Sequence, residues 1–283
     1  MNELRMLLEA IEGDAALAAA ERFRERIEAL DRLDAYLPLI DRADTELARR
    51  MQDACAQLEA LNAALYRRIR EDIRADHDGG RVLERFTDVD VLQAYGQDYD
   101  HLDELVAGVL QLPEPTLPTR ELGAEMVFYQ PTPARHVFAM IARSGLEEGD
   151  ALVDLGAGLG HVPLLAAICT RTRAVGIELE PAYVACATQA ASALGLANAA
   201  FLQQDARDAD FAIGTVFYLY TPFRGTILRE VLDRLRHEAM CRDIRICTFG
   251  PCTPVVAQED WLVADVAPQT DRVVVFRRQI AQS

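Results

Sequence analysis

The segment Val153 to Gly160, with the sequence VDLGAGLG, constrains the fold of this chain more than any other. It follows a short apolar run and precedes a helical pattern, so its glycines fall in a turn between a strand and a helix. Glycine is required where the backbone bends sharply and approaches a ligand, because a Cβ atom would stand in the way. In open α/β sheets such a ligand lies at the carboxyl ends of the strands. The segment therefore predicts an α/β sheet with a binding site beside this turn.

Short apolar runs alternate with helical patterns from this region to the C-terminus, which indicates a parallel sheet covered by helices on both faces. Seven runs are predicted to be strands: GDALVDLG, RAVGIELE and residues 199–204, 215–220, 244–249, 261–266 and 272–277. Only residues 267–271 separate the last two runs, which leaves no room for a crossover helix. We therefore expect these two strands to pair antiparallel at one edge of the sheet.

Residues 2–110 have apolar positions at spacings of three and four, which predicts an all-α segment. A helix predicted over 41–76, before a turn-forming cluster at 76–80, carries one apolar stripe: Leu47, Met51, Ala54, Leu58, Leu61 and Leu65. The stripe fits a dimerising coiled coil or, because it is short, packing against helices of the same chain, so a homodimer through these helices stays open.

Three prolines, Pro113, Pro115 and Pro118, mark a break in both helix and strand patterns. The change of pattern at this break predicts three parts. These are an N-terminal helical domain over 1–112 for substrate recognition or oligomerisation, a proline-rich linker over 113–119, and a second domain over 120–283.

The formal net charge of the chain is -16 and its pI is about 4.7. Binding to a nucleic acid or an anionic membrane needs clustered Lys and Arg, so this charge disfavours both partners. The six cysteines show neither zinc-ligand spacing nor a disulfide framework, so we expect reduced thiols and no metal site. The N-terminus lacks the basic and apolar regions of a signal peptide, and the expected location is cytoplasmic.

The spacing of the glycines distinguishes between kinds of nucleotide site. A dinucleotide-binding turn, GxGxxG, would need glycine at 161 or 163, where the chain has His161 and Pro163. The observed spacing is GxGxG, with Asp154 two residues before the first glycine. In this the chain resembles the class I, seven-stranded S-adenosylmethionine-dependent methyltransferases, over residues 129–278. The resemblance implies a Rossmann-like, mostly parallel sheet with an antiparallel last strand and S-adenosylmethionine as cofactor; an NAD-dependent oxidoreductase is the less favoured alternative.

Further matches follow in the order that the family has them. Glu178 ends the second predicted strand, where the family binds the ribose hydroxyls, and Asp205 follows the third, where it binds the adenine amino group. A Tyr or Thr before the first core helix closes over the methionine end in several members, although Thr132 would also serve as an N-cap with Pro133 as first helical residue. The resemblance implies this cofactor-binding set: Tyr129, Thr132, Asp154, Gly156, Ala157, Gly158, Gly160, Glu178, Leu179, Asp205, Ala206 and Tyr220.

The end of the fourth predicted strand has the sequence Tyr220-Thr221-Pro222-Phe223. In the family this place borders the reactive methyl group and the acceptor, and many N-methyltransferases have Asn, Asp or Ser, then Pro-Pro, then an aromatic residue. Only Pro222 and Phe223 match that pattern closely. The resemblance implies a catalytic role for all four residues, whereas Tyr218 and Tyr220 could instead be ordinary strand residues.

Two histidines lie close to these motifs. His161 follows the glycine turn, and His136 lies just after Thr132; we interpret both as structural or solvated residues rather than as catalytic bases.

The resemblance implies transfer of a methyl group to a nitrogen or oxygen atom of an acceptor. The expected acceptor is a protein side chain or a small molecule, and RNA ranks below these because no basic stripe is visible in the sequence. A protein that binds S-adenosylmethionine without turnover is the main alternative.

Overall fold

The structure is a computed structural model that describes residues 2–39, 45–75, 79–87, 95–115, 125–127 and 129–279. Its α-helices are α1 Asn2–Gly13, α2 Phe23–Asp34, α3 Thr45–Arg74, α4 Gly79–Glu84, α5 His101–Leu110, α6 Ala134–Ser144, α7 His161–Thr170, α8 Pro181–Leu194, α9 Gly225–Cys241 and α10 Thr253–Val256. Its strands are β1 Ala151–Leu155, β2 Arg173–Glu178, β3 Ala199–Gln203, β4 Val216–Leu219, β5 Arg245–Thr248, β6 Leu262–Ala264 and β7 Val274–Arg278. Within these ranges, no helix combines the length and the hydrophobicity needed to cross a membrane.

The strands form one sheet in the order β3-β2-β1-β4-β5-β7-β6. Strands β1 to β5 run parallel, whereas β7 is antiparallel to both β5 and β6. Each of the seven predicted strands is present, and the last two pair antiparallel at one edge, so the predicted fold class is confirmed. The chain order reverses between β1 and β4, and in sheets of this kind such a switch point opens a crevice at the carboxyl ends of the strands.

Helices cover both faces of the sheet, because its central strands are apolar on both sides. All five residues of β1 are buried. On one face, α6 and α7 pack with side chains such as Val137, Leu165 and Tyr218, and on the other α9 packs with Phe217 and Leu232.

The apolar stripe of α3 packs within the chain, as its short length favours. Its first half, including Met51 and Leu58, packs against α1 and α2, and its second half, including Ile69, joins the core beneath α6 and α7. The observed helix lies inside the predicted range 41–76, of which residues 41–44 and 76 are outside the described part of the chain.

One position in the stripe differs from the prediction. Leu61 is only partly buried, and the next residue, Asn62, is 4% exposed. The reason is a buried hydrogen bond, in which Arg26 Nε on α2 donates to Asn62 Oδ1 over 2.6 Å. Burial of a polar side chain is favourable only when such a partner is available.

Helix α5 connects the N-terminal helices to the residues that precede the sheet. Its buried side chains, including Leu105 and Val109, share one core with α3, α6 and α7. Asp103 of α5 belongs to a capping box with Asp100, and its Oδ1 also accepts the backbone N–H of Ala134 over 2.8 Å. One carboxylate therefore ties α5 to the start of α6, beside the segment that carries Tyr129 and Thr132. The division at 113–119 stays a prediction, because residues 116–124 are outside the described ranges.

Candidate functional site

A cavity of about 830 Å³ opens at the carboxyl ends of β1 to β4, where the sheet order reverses. Most of the predicted site residues line it: Tyr129, Thr132, Asp154, Gly156, Ala157, Glu178, Leu179, Asp205, Ala206, Tyr220, Thr221, Pro222 and Phe223. Gly158 and Gly160 do not line the cavity; they shape the turn beneath it. The structure thus brings the predicted residues together, while their individual roles stay predictions.

The glycine turn has the left-handed backbone that its sequence predicts. Gly156, Gly158 and Gly160 have φ values of 86°, 53° and 83°, and this region is open to glycine at little cost. A Cβ atom would overlap Pro222 at Gly156 and the Tyr129 ring at Gly158. The glycines therefore allow two predicted site residues to pack directly on the turn.

The carboxylate of Glu178 links the end of β2 to this turn. Its Oε2 accepts the N–H of Gly158 over 2.8 Å, and its Oε1 accepts the N–H groups of Leu179 and Glu180 over 2.7 and 2.8 Å. Three backbone donors fix the position of the carboxylate, which lies on the cavity wall.

Asp154, at the centre of the cavity floor, is 4% exposed. Burial, with a smaller contribution from the nearby charge of Glu178, raises the pKa of its carboxyl well above the usual value. In the described part of the chain no basic side chain forms an ion pair with this carboxyl, and such a carboxyl favours a positively charged ligand group.

Asp205 has a partner that the sequence motifs did not identify. The side chain of Arg207 donates from Nε and Nη2 to its two oxygens over 3.1 and 2.8 Å, and the Arg207 backbone N–H donates over 2.9 Å. A ligand amino group at Asp205 would share the carboxylate with this arginine. The spacing of two residues in Asp205-Ala206-Arg207 is the signal that could have predicted the pair.

Tyr129 lies over the turn, with its ring 5.3 Å from that of Tyr183. Its hydroxyl is 3.1 Å from Nδ1 of His161, the first residue of α7. Burial lowers the pKa of His161 to about 4, so the imidazole is neutral at pH 7 and shares one hydrogen bond with the tyrosine hydroxyl. His161 is partly buried on the cavity wall, and the interpretation of it as a structural rather than a catalytic residue stays a prediction.

Thr132 is not the N-cap of α6, and Pro133 is not its first helical residue. The helix begins at Ala134, and the carboxylate of Asp103 accepts the N–H of Ala134. The Thr132 hydroxyl instead pairs with the hydroxyl of Tyr218 over 3.0 Å. The Asp103 carboxylate is a stronger acceptor than a hydroxyl and takes the N–H of Ala134. The Thr132 hydroxyl is therefore not needed as a cap, and it pairs with Tyr218 at the cavity wall.

The end of β4 carries a strained residue. Thr221 has a φ of 42°, which is rare for a β-branched residue. Its Oγ1 accepts the N–H of Cys252 over 2.9 Å, which holds this conformation. Strain of this kind is concentrated at functional sites, and here it lies between Tyr220 and Pro222 on the cavity wall.

Tyr220 is supported from behind by two further rings. Its ring centroid is 4.8 Å from that of Phe249, which is 4.2 Å from the ring of His136. His136 is fully buried and its Nε2 donates to the carbonyl of Gly96 over 2.7 Å. Burial lowers the pKa of His136, so it is structural and neutral.

The short segment 125–127 runs along the predicted catalytic residues. The carbonyl of Glu125 accepts the N–H of Arg224 over 2.9 Å, and the N–H of Val127 donates to the carbonyl of Pro222 over 3.4 Å. The Glu125 carboxylate accepts the N–H and hydroxyl of Thr226 over 3.1 and 2.6 Å, at the start of α9. This segment closes one side of the cavity, and nothing in the sequence motifs indicated it.

No protein-family model and no curated protein matches the chain. Several solved structures are similar to about half of it. An RNA methyltransferase from Salinibacter ruber, in complex with S-adenosyl-L-homocysteine, is 27% identical over 54% of this chain and 98% of its own, with a TM-score of 0.42. A tRNA (uracil-54, C5)-methyltransferase from Pyrococcus abyssi, also with S-adenosyl-L-homocysteine, is 20% identical over 54% of this chain and 40% of its own, with a TM-score of 0.39. The C-terminal domain of a precorrin-6Y C5,15-methyltransferase from Rhodobacter capsulatus is 18% identical over 57% of this chain and 98% of its own, with a TM-score of 0.39.

Two of these three proteins are RNA-modifying enzymes by name, which contradicts the expectation that the charge of the chain disfavours a nucleic-acid partner. The expectation was wrong because a net charge sums over the whole surface, whereas recognition of a nucleotide depends on stacking and hydrogen bonds near the site. The strand order, the antiparallel β7 and the glycine turn after β1 show that the chain has the fold of the class I S-adenosylmethionine-dependent methyltransferases.

Proposed function

We propose that this protein binds S-adenosylmethionine and transfers its methyl group to a nitrogen or oxygen atom of an acceptor. One observation carries the proposal: three carboxylates, on Asp154, Glu178 and Asp205, converge with the glycine turn on a single cavity. The cofactor supplies an activated methyl group when it is bound. The chain has to hold the cofactor, place the acceptor in line with the methyl group and exclude water.

Each carboxylate has a role in this proposal that its surroundings support. Glu178, fixed by three N–H groups, would accept the ribose hydroxyls, and Asp205, paired with Arg207, would accept the adenine amino group. The buried Asp154, with Tyr129 and Thr132 above it, would face the charged methionine end of the cofactor.

The acceptor would enter beyond these residues, beside the end of β4. Tyr220, Thr221 and Pro222 line that part of the cavity together with Gln97 and Pro251. Gln97 belongs to the region before the predicted linker 113–119. Its place on the cavity wall supports substrate recognition as the role of the proposed N-terminal domain 1–112, with the cofactor held by the proposed domain 120–283.

Calorimetry with S-adenosyl-L-homocysteine tests the proposal directly. We expect saturable binding by the wild type, loss of affinity by about tenfold or more in Glu178→Gln, and no change in Glu59→Gln on the exposed face of α3. NADH in the same titration should give no heat. A folded wild-type protein that binds NADH, or that binds neither molecule, would reject the proposal.

Turnover needs a second experiment, because binding alone would also fit a scaffold without activity. The protein is incubated with cell extract and methyl-labelled cofactor, and the product is treated with ribonuclease, with protease or by dialysis. Label in any of the three fractions supports catalysis and distinguishes RNA, protein side chains and small molecules as acceptors. Unlabelled extract, despite tight cofactor binding, would favour the scaffold.

A further inference from the structure

The two halves of the cavity differ in their chemistry. Its carboxylates on Asp154, Glu178 and Asp205 lie near the carboxyl ends of β1, β2 and β3, in the half that the proposed function assigns to the cofactor. Among the described residues, the half beyond β4 is lined by neutral side chains: Gln97, Gln130, Pro131, Tyr220, Thr221 and Pro251. Burial raises the pKa of Tyr220, so its hydroxyl also stays neutral near pH 7.

The one imidazole on the wall of the described cavity is a poor base. Its pKa of about 4 keeps His161 unprotonated at pH 7, and its Nδ1 already pairs with the Tyr129 hydroxyl. The acceptor half therefore offers neither a counter-charge nor a general base among the described residues. The described side chains of this half would therefore neither replace the hydration of a protonated amine nor accept its proton.

Tyr220 presents a rigid aromatic surface in this half. The Phe249 ring packs behind it in a tilted arrangement, with centroids 4.8 Å apart, and the His136 ring lies 4.2 Å behind Phe249, so the core side of the tyrosine ring is filled. Stacking of a planar ligand on a ring that is already fixed costs little conformational entropy.

Gln97, which faces the same half, is held on a tethered segment. Contacts on both sides of it fix residues 95–99: the Tyr95 ring with Arg272, the Gly96 carbonyl with His136, the Asp98 carbonyl with Arg135, and the Tyr99 hydroxyl with the Pro131 carbonyl. Gln97 and Gln130 are both exposed at the mouth of the cavity. Each amide offers a donor and an acceptor side by side, which matches the edge of a nitrogen heterocycle.

We propose that the acceptor is a planar, uncharged nitrogen heterocycle that stacks on Tyr220 and is recognised at its edge by Gln97 and Gln130. This inference rests on the proposed function and names the acceptor class for the same site. In the reaction, the lone pair of a pyridine-type ring nitrogen forms the new N–C bond. The methyl carbon–sulfur bond breaks with its electron pair going to sulfur, and the positive charge moves from sulfur to the ring. No proton has to leave, so the reaction needs no base.

Such a ring could be a base in an RNA strand or a free small molecule. The test uses protein saturated with S-adenosyl-L-homocysteine, so that the cofactor half is filled, and measures equilibrium binding of three probes by NMR saturation transfer and titration. The probes are adenosine, a single-stranded RNA dodecamer and a lysine-containing peptide. The variants are Tyr220→Phe, Tyr220→Leu and Gln97→Leu, with Tyr36→Leu, in the turn that follows α2, as the matched control.

We expect adenosine or the RNA to bind and the peptide not to bind. Tyr220→Leu should weaken heterocycle binding about tenfold or more, because it removes the stacking surface, whereas Tyr220→Phe and Tyr36→Leu should stay within about threefold of the wild type. Gln97→Leu should weaken it about fivefold. Binding of free adenosine indicates a small-molecule acceptor, and binding of the RNA alone indicates a base within a strand.

Peptide binding without heterocycle binding would overturn the inference, as would equal affinity of Tyr220→Leu and the wild type for the heterocycles. The affinity for S-adenosyl-L-homocysteine is measured first for every variant. If the wild type does not bind S-adenosyl-L-homocysteine, the proposed function is overturned as well. If it binds S-adenosyl-L-homocysteine normally but binds no heterocycle, only the acceptor class is overturned.

Discussion

Replacement of His161 by glutamine should remove part of the acid sensitivity of the folded protein. The ordinary pKa of histidine is 6.5, and burial lowers that of His161 to about 4. As the pH falls below 6.5, the unfolded chain takes up a proton at residue 161 that the folded protein does not. The folded state is therefore not penalised by His161 above pH 6.5, and it loses free energy of unfolding as the pH falls towards 4. Linkage between these two pKa values gives a loss of about 2 kcal/mol between pH 7.5 and 5.0 from this one residue.

Glutamine suits the test because its amide can either accept a hydrogen bond from the Tyr129 hydroxyl or donate one to it, while it carries no titratable group. Urea unfolding at pH 7.5 and 5.0 gives the free-energy loss for each protein. The His161→Gln variant should lose about 2 kcal/mol less than the wild type, and His237→Gln, on the exposed face of α9, should match the wild type. The contribution of His136, whose pKa is also lowered by burial, cancels in this comparison. An equal loss in the wild type and His161→Gln would refute the reasoning.

Three further predictions concern Asp154, Thr221 and Gly160. Burial raises the pKa of Asp154, so this residue destabilises the ligand-free protein once the pH exceeds the pKa of aspartate in the unfolded chain. Asp154→Asn should therefore raise the Tm at pH 7.5 without ligand, and a lower Tm would contradict this. Thr221→Val leaves the N–H of Cys252 unpaired and should cost about 1–3 kcal/mol in urea unfolding, while Thr221→Ser, which keeps the acceptor oxygen, should stay close to the wild type. Gly149 and Gly160 both have positive φ, but a Cβ at Gly160 would lie 2.5 Å from the Phe201 ring, and at Gly149 it meets nothing within 4 Å. Gly149→Ala should therefore cost about 1–2 kcal/mol from backbone strain, and Gly160→Ala about 1–3 kcal/mol more; equal losses would show that packing at Gly160 is unimportant.

The sequence predicted the strands well because their signal is local. Each strand is a short apolar run that ends in a turn, and the parallel order follows from the helices between them. The insertion of β7 between β5 and β6 has no local signal, since it depends on which edges are left open after the chain has folded. The same holds for the segment 125–127, whose partners lie about a hundred residues away on α9.

Two local details of the sequence interpretation differ from the structure for one physical reason. Local patterns offered the N-cap as one of two interpretations of Thr132 and placed Leu61 in the apolar stripe. In both cases a polar side chain distant in sequence made a stronger interaction, Asp103 with Ala134 and Arg26 with Asn62. Local propensities contribute about 1 kcal/mol or less, and one buried charge-assisted hydrogen bond exceeds that.

Some unfavourable conformations and buried polar groups lie beside the cavity, near the carboxyl ends of β1 and β4. Asp154 is a carboxyl in a low dielectric, Thr221 holds a left-handed backbone, and the hydroxyls of Thr132 and Tyr218 are buried against one another. The buried carboxyl and the left-handed threonine lower the stability of the ligand-free protein, and the well-packed cores on both faces of the sheet offset the loss. A ligand that brings a positive charge to Asp154 would remove the largest of these costs. If the proposed function holds, S-adenosyl-L-homocysteine should raise the Tm of the wild type more than that of Asp154→Asn, because the amide has no charge for the ligand to neutralise.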